Sequence, residues 1–123
     1  MKFLLDTNFL LVPGKFRVDI FSELEKFGKP ETFILDLSMR ELKKIIKGGG
    51  KDSRHALLAL DLIEKKEVTV LESGISGHTD RALVKFAGEG YVVCTSDRPL
   101  IRKLREAGFR AITLRQQRYL AEA

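Results

Sequence analysis

Short apolar runs alternate along the chain with longer stretches in which apolar residues recur every three or four positions, and this alternation predicts strands and helices in turn. Lys2 to Leu5 reads as the first strand, followed by a loop turning at Pro13-Gly14 and a helix from about Val18 to Phe27 with Ile20, Leu24 and Phe27 on one face. Phe33 to Leu37 reads as the second strand. Ser38 then serves as the N-cap of a helix that turns Met39, Leu42, Ile45 and Ile46 inward and ends at Gly48-Gly49-Gly50. A broadly apolar helix follows over about Ser53 to Glu64. Val68 to Leu71 is the third strand and Ser73 to Gly77 a loop, before a helix carrying Ala82, Leu83, Phe86 and Ala87 that stops at Gly88 and Gly90. Tyr91 to Thr95 is the fourth strand, Leu100, Ile101 and Leu104 mark a helix that ends before Gly108, and Ala111 to Leu114 is a fifth strand with a short terminal helix behind it. Strands and helices at this spacing predict an α/β fold with three α/β/α layers around a central parallel sheet of about five strands.

The length of 123 residues suits one domain over 1–123 with a real core. No apolar run reaches the roughly 18–20 residues that cross a bilayer, and the N-terminus enters a strand without the regions of a signal peptide. The expectation is a soluble cytoplasmic protein with no membrane association. Cys94 is alone in a β-branched run and reads as a small buried hydrophobe. The net charge of +5 and pI near 9.5 attract polyanions.

Against that positive body stand four acids, Asp6, Glu41, Asp80 and Asp97, each where a strand ends or the next helix begins. In a parallel sheet the carboxyl ends of the strands form the ligand-binding edge, so loops far apart in sequence can bring these side chains together. Each acid also has a local explanation. Glu41 completes a capping box with Ser38, Asp80 suits a first helical turn, Asp97 suits an N-cap before Arg98-Pro99, and Asp6-Thr7-Asn8 suits a polar turn. Their joint placement argues for more, because converging carboxylates repel one another unless a cation neutralises them. Oxygen-only ligands favour Mg²⁺ or Mn²⁺, and neither His55 nor His78 has the Cys or His partners of a zinc site.

The segments Leu5-Asp6-Thr7-Asn8, Arg40-Glu41-Leu42, Asp80-Arg81-Ala82 and Thr95-Ser96-Asp97 resemble, in order and spacing, the acidic motifs of the PIN-domain nucleases, in particular compact archaeal proteins related to VapC toxins and to endonucleases of small-subunit ribosomal RNA processing. The resemblance runs over nearly the whole chain. It implies the strand order 3-2-1-4-5, with Asp6, Glu41, Asp80 and Asp97 as catalytic metal ligands. Thr7, Asn8, Thr95 and Ser96 would orient carboxylates or bound water; Ser96 stands where many relatives have Asn. The implied activity is a metal-dependent endoribonuclease that leaves 5′-phosphate and 3′-hydroxyl ends. The implied partners are single-stranded or structured RNA, a second copy of the chain, and an antitoxin or a ribosome-assembly partner. The rival reading is a non-cleaving RNA-binding or ribosome-assembly module with the same fold.

For the grip on RNA, Arg40, Lys43, Lys44 and Lys47 lead through three glycines to Lys51 and Arg54, beside the Glu41 helix, and Arg98 follows Asp97. Arg102 and Arg115 are weaker candidates. Other α/β chemistries fit poorly. A receiver domain needs an acidic pair after strand one, an Asp after strand three and a Lys after strand five, where this chain has Asp6 alone, Glu72 and Arg115. A dehalogenase-like phosphatase needs Asp at the position of Asn8, and Gly48-Gly49-Gly50-Lys51 follows a helix, unlike a phosphate-binding loop.

Overall fold

The first strand shows why the sheet is covered on both faces. In β1 (Lys2–Leu5), Phe3 and Leu5 point to one side and Leu4 to the other, and all three are wholly buried. The computed structural model describes residues 1–74 and 78–123 of the chain. Beyond β1 come α1 (Thr7–Leu10), α2 (Val12–Phe16), α3 (Ile20–Leu24) with a 3-10 turn over Glu25–Phe27, β2 (Glu31–Leu35), α4 (Asp36–Gly48) and α5 (Gly50–Lys65). Then follow β3 (Thr69–Leu71), α6 (Thr79–Ala87), β4 (Val92–Cys94), α7 (Arg98–Glu106), β5 (Ala111–Arg115) and β6 (Tyr119–Glu122).

The sheet order is β3-β2-β1-β4-β5-β6, parallel throughout except for the antiparallel pair β5–β6. One core, containing Phe3, Leu5, Phe9, Ile20, Leu24, Ile34, Leu42 and Ala56, joins one sheet face to α1–α5. The other, containing Leu4, Leu35, Leu83, Phe86, Val93, Leu100 and Leu104, joins the opposite face to α6 and α7. This is the expected three-layer α/β/α arrangement, and its order contains the expected 3-2-1-4-5.

The local boundaries differ in four places. The terminal helix is instead β6, reached through Gln116 and Gln117, both at positive φ (52° and 53°), with the Arg118 N–H donating to the Arg115 carbonyl at 3.0 Å. That is type I′ turn geometry, normally signalled by Asn-Gly, so two glutamines concealed it. Ser38 is not an N-cap: β2 ends at Leu35 and α4 begins at Asp36, which places Ser38 inside the helix. Pro13 and Gly14 lie within α2, with Pro at an early helical position that tolerates it. The helix expected over Val18 to Phe27 contracts to α3 and the 3-10 turn. Of the expected loop at Ser73 to Gly77, residues 75–77 lie outside the described residues. Among the described residues, no helix is long and apolar enough to cross a membrane.

Gly14 marks a close approach of α2 to α5. A Cβ built there would lie 2.5 Å from His55 Nδ1 and 3.0 Å from its Cβ and Cγ, so the imidazole root as well as its rim is in the way. Gly14→Ala is expected to cost about 1–3 kcal/mol by overpacking. Combining it with His55→Ala should recover at least about 1 kcal/mol as a coupling energy in urea unfolding. Additive losses in the double variant would show that His55 is not what restricts the position.

Candidate active site

Asp6 follows the last residue of β1, and the residue is 6% exposed. The backbone is held because its N–H donates to the Cys94 carbonyl at 2.9 Å, continuing the β1–β4 ladder one step. As the N-cap of α1, Asp6 accepts from the Thr7 N–H on Oδ1 at 2.8 Å. Oδ2 accepts from the Thr95 hydroxyl at 2.8 Å and from Asn8 Nδ2 at 3.2 Å. A carboxylate offers about four acceptor positions, so these three bonds leave one, on Oδ1.

Thr95 and Asn8 carry the link onward. Thr95, wholly buried after β4, accepts from the Asp97 N–H at 3.1 Å while its hydroxyl donates to Asp6. Asn8 Oδ1 accepts from the Ser96 N–H at 3.0 Å. The loop after β4 is therefore fastened to the loop after β1 by side chains from both. Asp97 is the N-cap of α7, its Oδ1 accepting from the Leu100 N–H at 3.1 Å. Here the local explanation holds and leaves Oδ2 outside the cap.

Glu41 and Asp80 approach from the other crossovers. Glu41 is half-buried in α4 and accepts from Thr79 Oγ1 at 2.9 Å, which ties α4 to the start of α6. The capping box with Ser38 does not form, since both residues sit inside the helix. Asp80 is in the first turn of α6. Burial raises the Asp6 pKa from an ordinary 3.8 to about 6, and the charges of Glu41 and Asp80 push the same way against the stabilising bonds from Thr95 and Thr7. Three of the four acids are thus electrostatically coupled, while Asp97 joins through the shared Thr95 hydroxyl.

The donor set is oxygen throughout. Among the described residues, no group of three or more His, Cys, Asp and Glu is close enough to form a ready metal cage. An all-oxygen donor set is the chemistry of a hard divalent cation. Two buried hydroxyls agree with a site that takes up water or an ion. Thr7 Oγ1, beside Asp6, and Ser38 Oγ, one turn before Glu41, are buried without a hydrogen-bond partner among the described residues.

A scan against protein families matches the chain over residues 3–117 to the family described as PIN like domain. The chain belongs to that family. The chain is 30% identical to Ribonuclease VapC4 of Methanocaldococcus jannaschii over 121 aligned residues, covering 93% of this chain and 90% of the relative. In fold it is similar to the PIN domain endonuclease Utp24, with a TM-score of 0.81, 21% identity and coverage of 98% of this chain and 90% of the other. It also resembles a domain of a functionally unknown protein from Methanocaldococcus jannaschii, at a TM-score of 0.66, 19% identity and coverage of 93% and 91%.

Thr79 is the site residue that reading the sequence missed. Its only local signal was a hydroxyl one residue before an acid at a helix start, which is common in ordinary caps. The basic residues divide into two groups. Arg40 lies 3.9 Å from Asp36, whereas Lys43, Lys44, Lys47, Lys51 and Arg54 are exposed on α4 and α5 without an ion pair among the described residues. Arg98 opens α7 beside Asp97 and lines a groove along that helix.

The raised Asp6 pKa makes a prediction for the metal-free protein. Well below pH 3.8 Asp6 is protonated in both folded and unfolded chains and incurs no charge penalty; as pH rises towards about 6 the unfolded chain ionises first, so stability falls, and well above 6 the loss is complete. The decline is about 3 kcal/mol at most. Subtracting the urea-derived stability profile of Asp6→Asn from that of the wild type should isolate this descending limb. A difference that rises with pH over the same window would mean Asp6 is held as a favoured anion instead.

Proposed function

We propose that the chain is a metal-dependent endoribonuclease that hydrolyses RNA phosphodiesters to 5′-phosphate and 3′-hydroxyl ends. The observation that carries this reading is Asp6: a buried carboxylate with one acceptor position left over, facing the charges of Glu41 and Asp80. A scaffold has no use for such repulsion, and a cation relieves it. Membership of the PIN-like family and likeness to a protein named a ribonuclease support the same chemistry.

Asp6 Oδ1 and Asp97 Oδ2 are the atoms left for a principal Mg²⁺ or Mn²⁺, with Glu41 and Asp80 completing the pocket directly or through water. When bound, the ion would lower the pKa of an attacking water and offset charge on the phosphate and the leaving 3′-oxygen. The surrounding residues fix the donors in advance. Thr95 holds Asp6 and Asp97 in one arrangement, Asn8 and Ser96 lock the two loops together, Thr7 anchors Oδ1, and Thr79 sets the Glu41 rotamer. The free cations of α4 and α5, Lys43, Lys44, Lys47, Lys51 and Arg54, together with Arg40 and Arg98, hold the phosphate backbone of single-stranded or structured RNA. The processing and toxin roles that the resemblance implies share this chemistry. Precursor RNA accumulating on deletion would mark the first, and neutralisation by a co-expressed antitoxin the second.

End-labelled single-stranded and hairpin RNAs incubated with Mn²⁺, Mg²⁺ or chelator test the reading. Cutting is expected only with metal, with a 5′-phosphate on the downstream product. Asp6→Asn or Asp97→Asn should reduce the rate about 100-fold or more, as loss of several kcal/mol of charge stabilisation requires. Cyclic phosphate ends or cutting in chelator would reject metal-assisted hydrolysis, and metal-independent RNA binding without any cutting would favour the non-cleaving module.

A further inference from the structure

Beyond the acidic site, a groove of about 880 Å³ runs between α7 and the β5–β6 hairpin, lined by Arg98, Arg102, Arg105 and Arg115. The first three recur at i, i+4 and i+7, which places them on one stripe of the helix over about 10 Å. Among the described residues none of the four has an ion-paired carboxylate, Arg115 donating only to the Glu122 backbone carbonyl at 3.2 Å, and Glu106 is the one acidic side chain lining the groove. Four exposed guanidinium groups lining one groove, none of them ion-paired among the described residues, repel one another unless a polyanion lies between them. The groove adjoins the acidic site through Ser96, which lines it, precedes Asp97, and donates its N–H to the Asn8 that bonds Asp6.

Its far wall carries Tyr119, 37% exposed at the start of β6. The ring is positioned in advance. The adjacent Leu120 N–H donates to Glu23 of α3 at 2.9 Å, and Lys26, paired to the same Glu23, lies 5.4 Å from the ring centroid. An exposed, braced aromatic beside a row of arginines matches what sequence-tolerant binding of single strands requires, with cations for phosphates and a flat face for a base.

We propose that this groove seats a single-stranded RNA segment continuing from the cleavage site, with Arg98, Arg102 and Arg105 taking successive phosphates and Tyr119 stacking on a base. The assignment of RNA rests on the ribonuclease reading above. An acidic polypeptide would satisfy the arginines but would leave the tyrosine face unused.

The test is the affinity of the full chain, in chelator so that nothing is cut, for a labelled single-stranded RNA of about a dozen nucleotides across a potassium chloride series. Arg102→Ala/Arg105→Ala should weaken binding about tenfold or more and reduce the log–log salt slope by about 1.4, two phosphate contacts at about 0.7 each. A charge-matched pair, Lys65→Ala/Lys85→Ala, sits at the ends of α5 and α6 that lead into the amino ends of β3 and β4, on the opposite edge of the sheet, and should change affinity less than about twofold. Tyr119→Ala should cost about 5-fold or more with the salt slope unchanged, and Tyr119→Phe should restore binding. Equal effects of the two charge pairs, or none from the arginines, would overturn the proposal. So would polyglutamate competing as well as RNA with Tyr119→Ala silent, which would assign the groove to an acidic polypeptide. The two readings fail separately: loss of binding through the arginines in a protein that never cuts would sustain the groove and reject the nuclease, whereas cutting by a protein whose binding ignores the arginines would do the reverse.

Discussion

An ionisable carboxyl placed at the end of β1, one of the two central strands, is the constraint on which this structure turns. β1 has β2 on one side and β4 on the other, so Asp6 emerges between two crossovers where little water can reach it. Burial of a carboxylate is tolerable only when its oxygens find donors. Those donors come from the first turn of α1 and from Thr95 after β4. Satisfying Asp6 therefore fixes how the chain leaves β1 and how it leaves β4, and through the Thr95 hydroxyl it also fixes the start of α7.

The same arrangement concentrates negative charge at one edge of a chain that carries +5 overall. Helix starts at α6 and α7 meet that edge, and their positive ends partly offset the acids placed there. Asp6 stays raised chiefly because it is buried, with the charges of Glu41 and Asp80 adding to the same direction. Local negative charge set in a positive surface suits the polyanionic substrate of the proposed reading: the body would attract it, and a cation would mediate its contact with the site. The arginines of α7 extend the attraction outward from that edge on the β4–β5 side.

Much of this was legible in the residues. The parallel strands announced themselves by apolar runs such as Phe3-Leu4-Leu5 and Val92-Val93-Cys94, because strands buried on both faces leave no polar alternation to interpret. The acids could be read as a candidate set because each comes after a strand, and the structure puts Glu41 and Asp80 within electrostatic reach of Asp6. What stayed hidden depended on distant partners. The C-terminal segment Gln116 to Glu122 is rich in helix-favouring Gln, Arg, Leu, Ala and Glu, yet pairing with β5 draws it into the sheet through a turn that lacks the usual Asn or Gly. Ser38 looked like a cap because Ser-x-x-Glu is a capping pattern, but Asp36 starts the helix two residues earlier, its Oδ1 accepting from the N–H groups of Leu37 and Ser73. The freed Glu41 then bonds Thr79, a pairing across 38 residues that no local pattern encodes. The arginine groove was hidden for the same reason, since its second wall is a hairpin whose second strand, β6, was expected to be a helix.

The most direct test of the account is a carbon-detected NMR titration of the Asp6 carboxyl in the metal-free protein, assigned by its disappearance in Asp6→Asn. The account predicts a midpoint near 6 that moves downward in Glu41→Gln, because a repelling neighbour has been removed while burial persists. A midpoint at or below the ordinary 3.8, unmoved by Glu41→Gln, would contradict it and make Asp6 a comfortable structural anion instead of a carboxylate that calls for a cation.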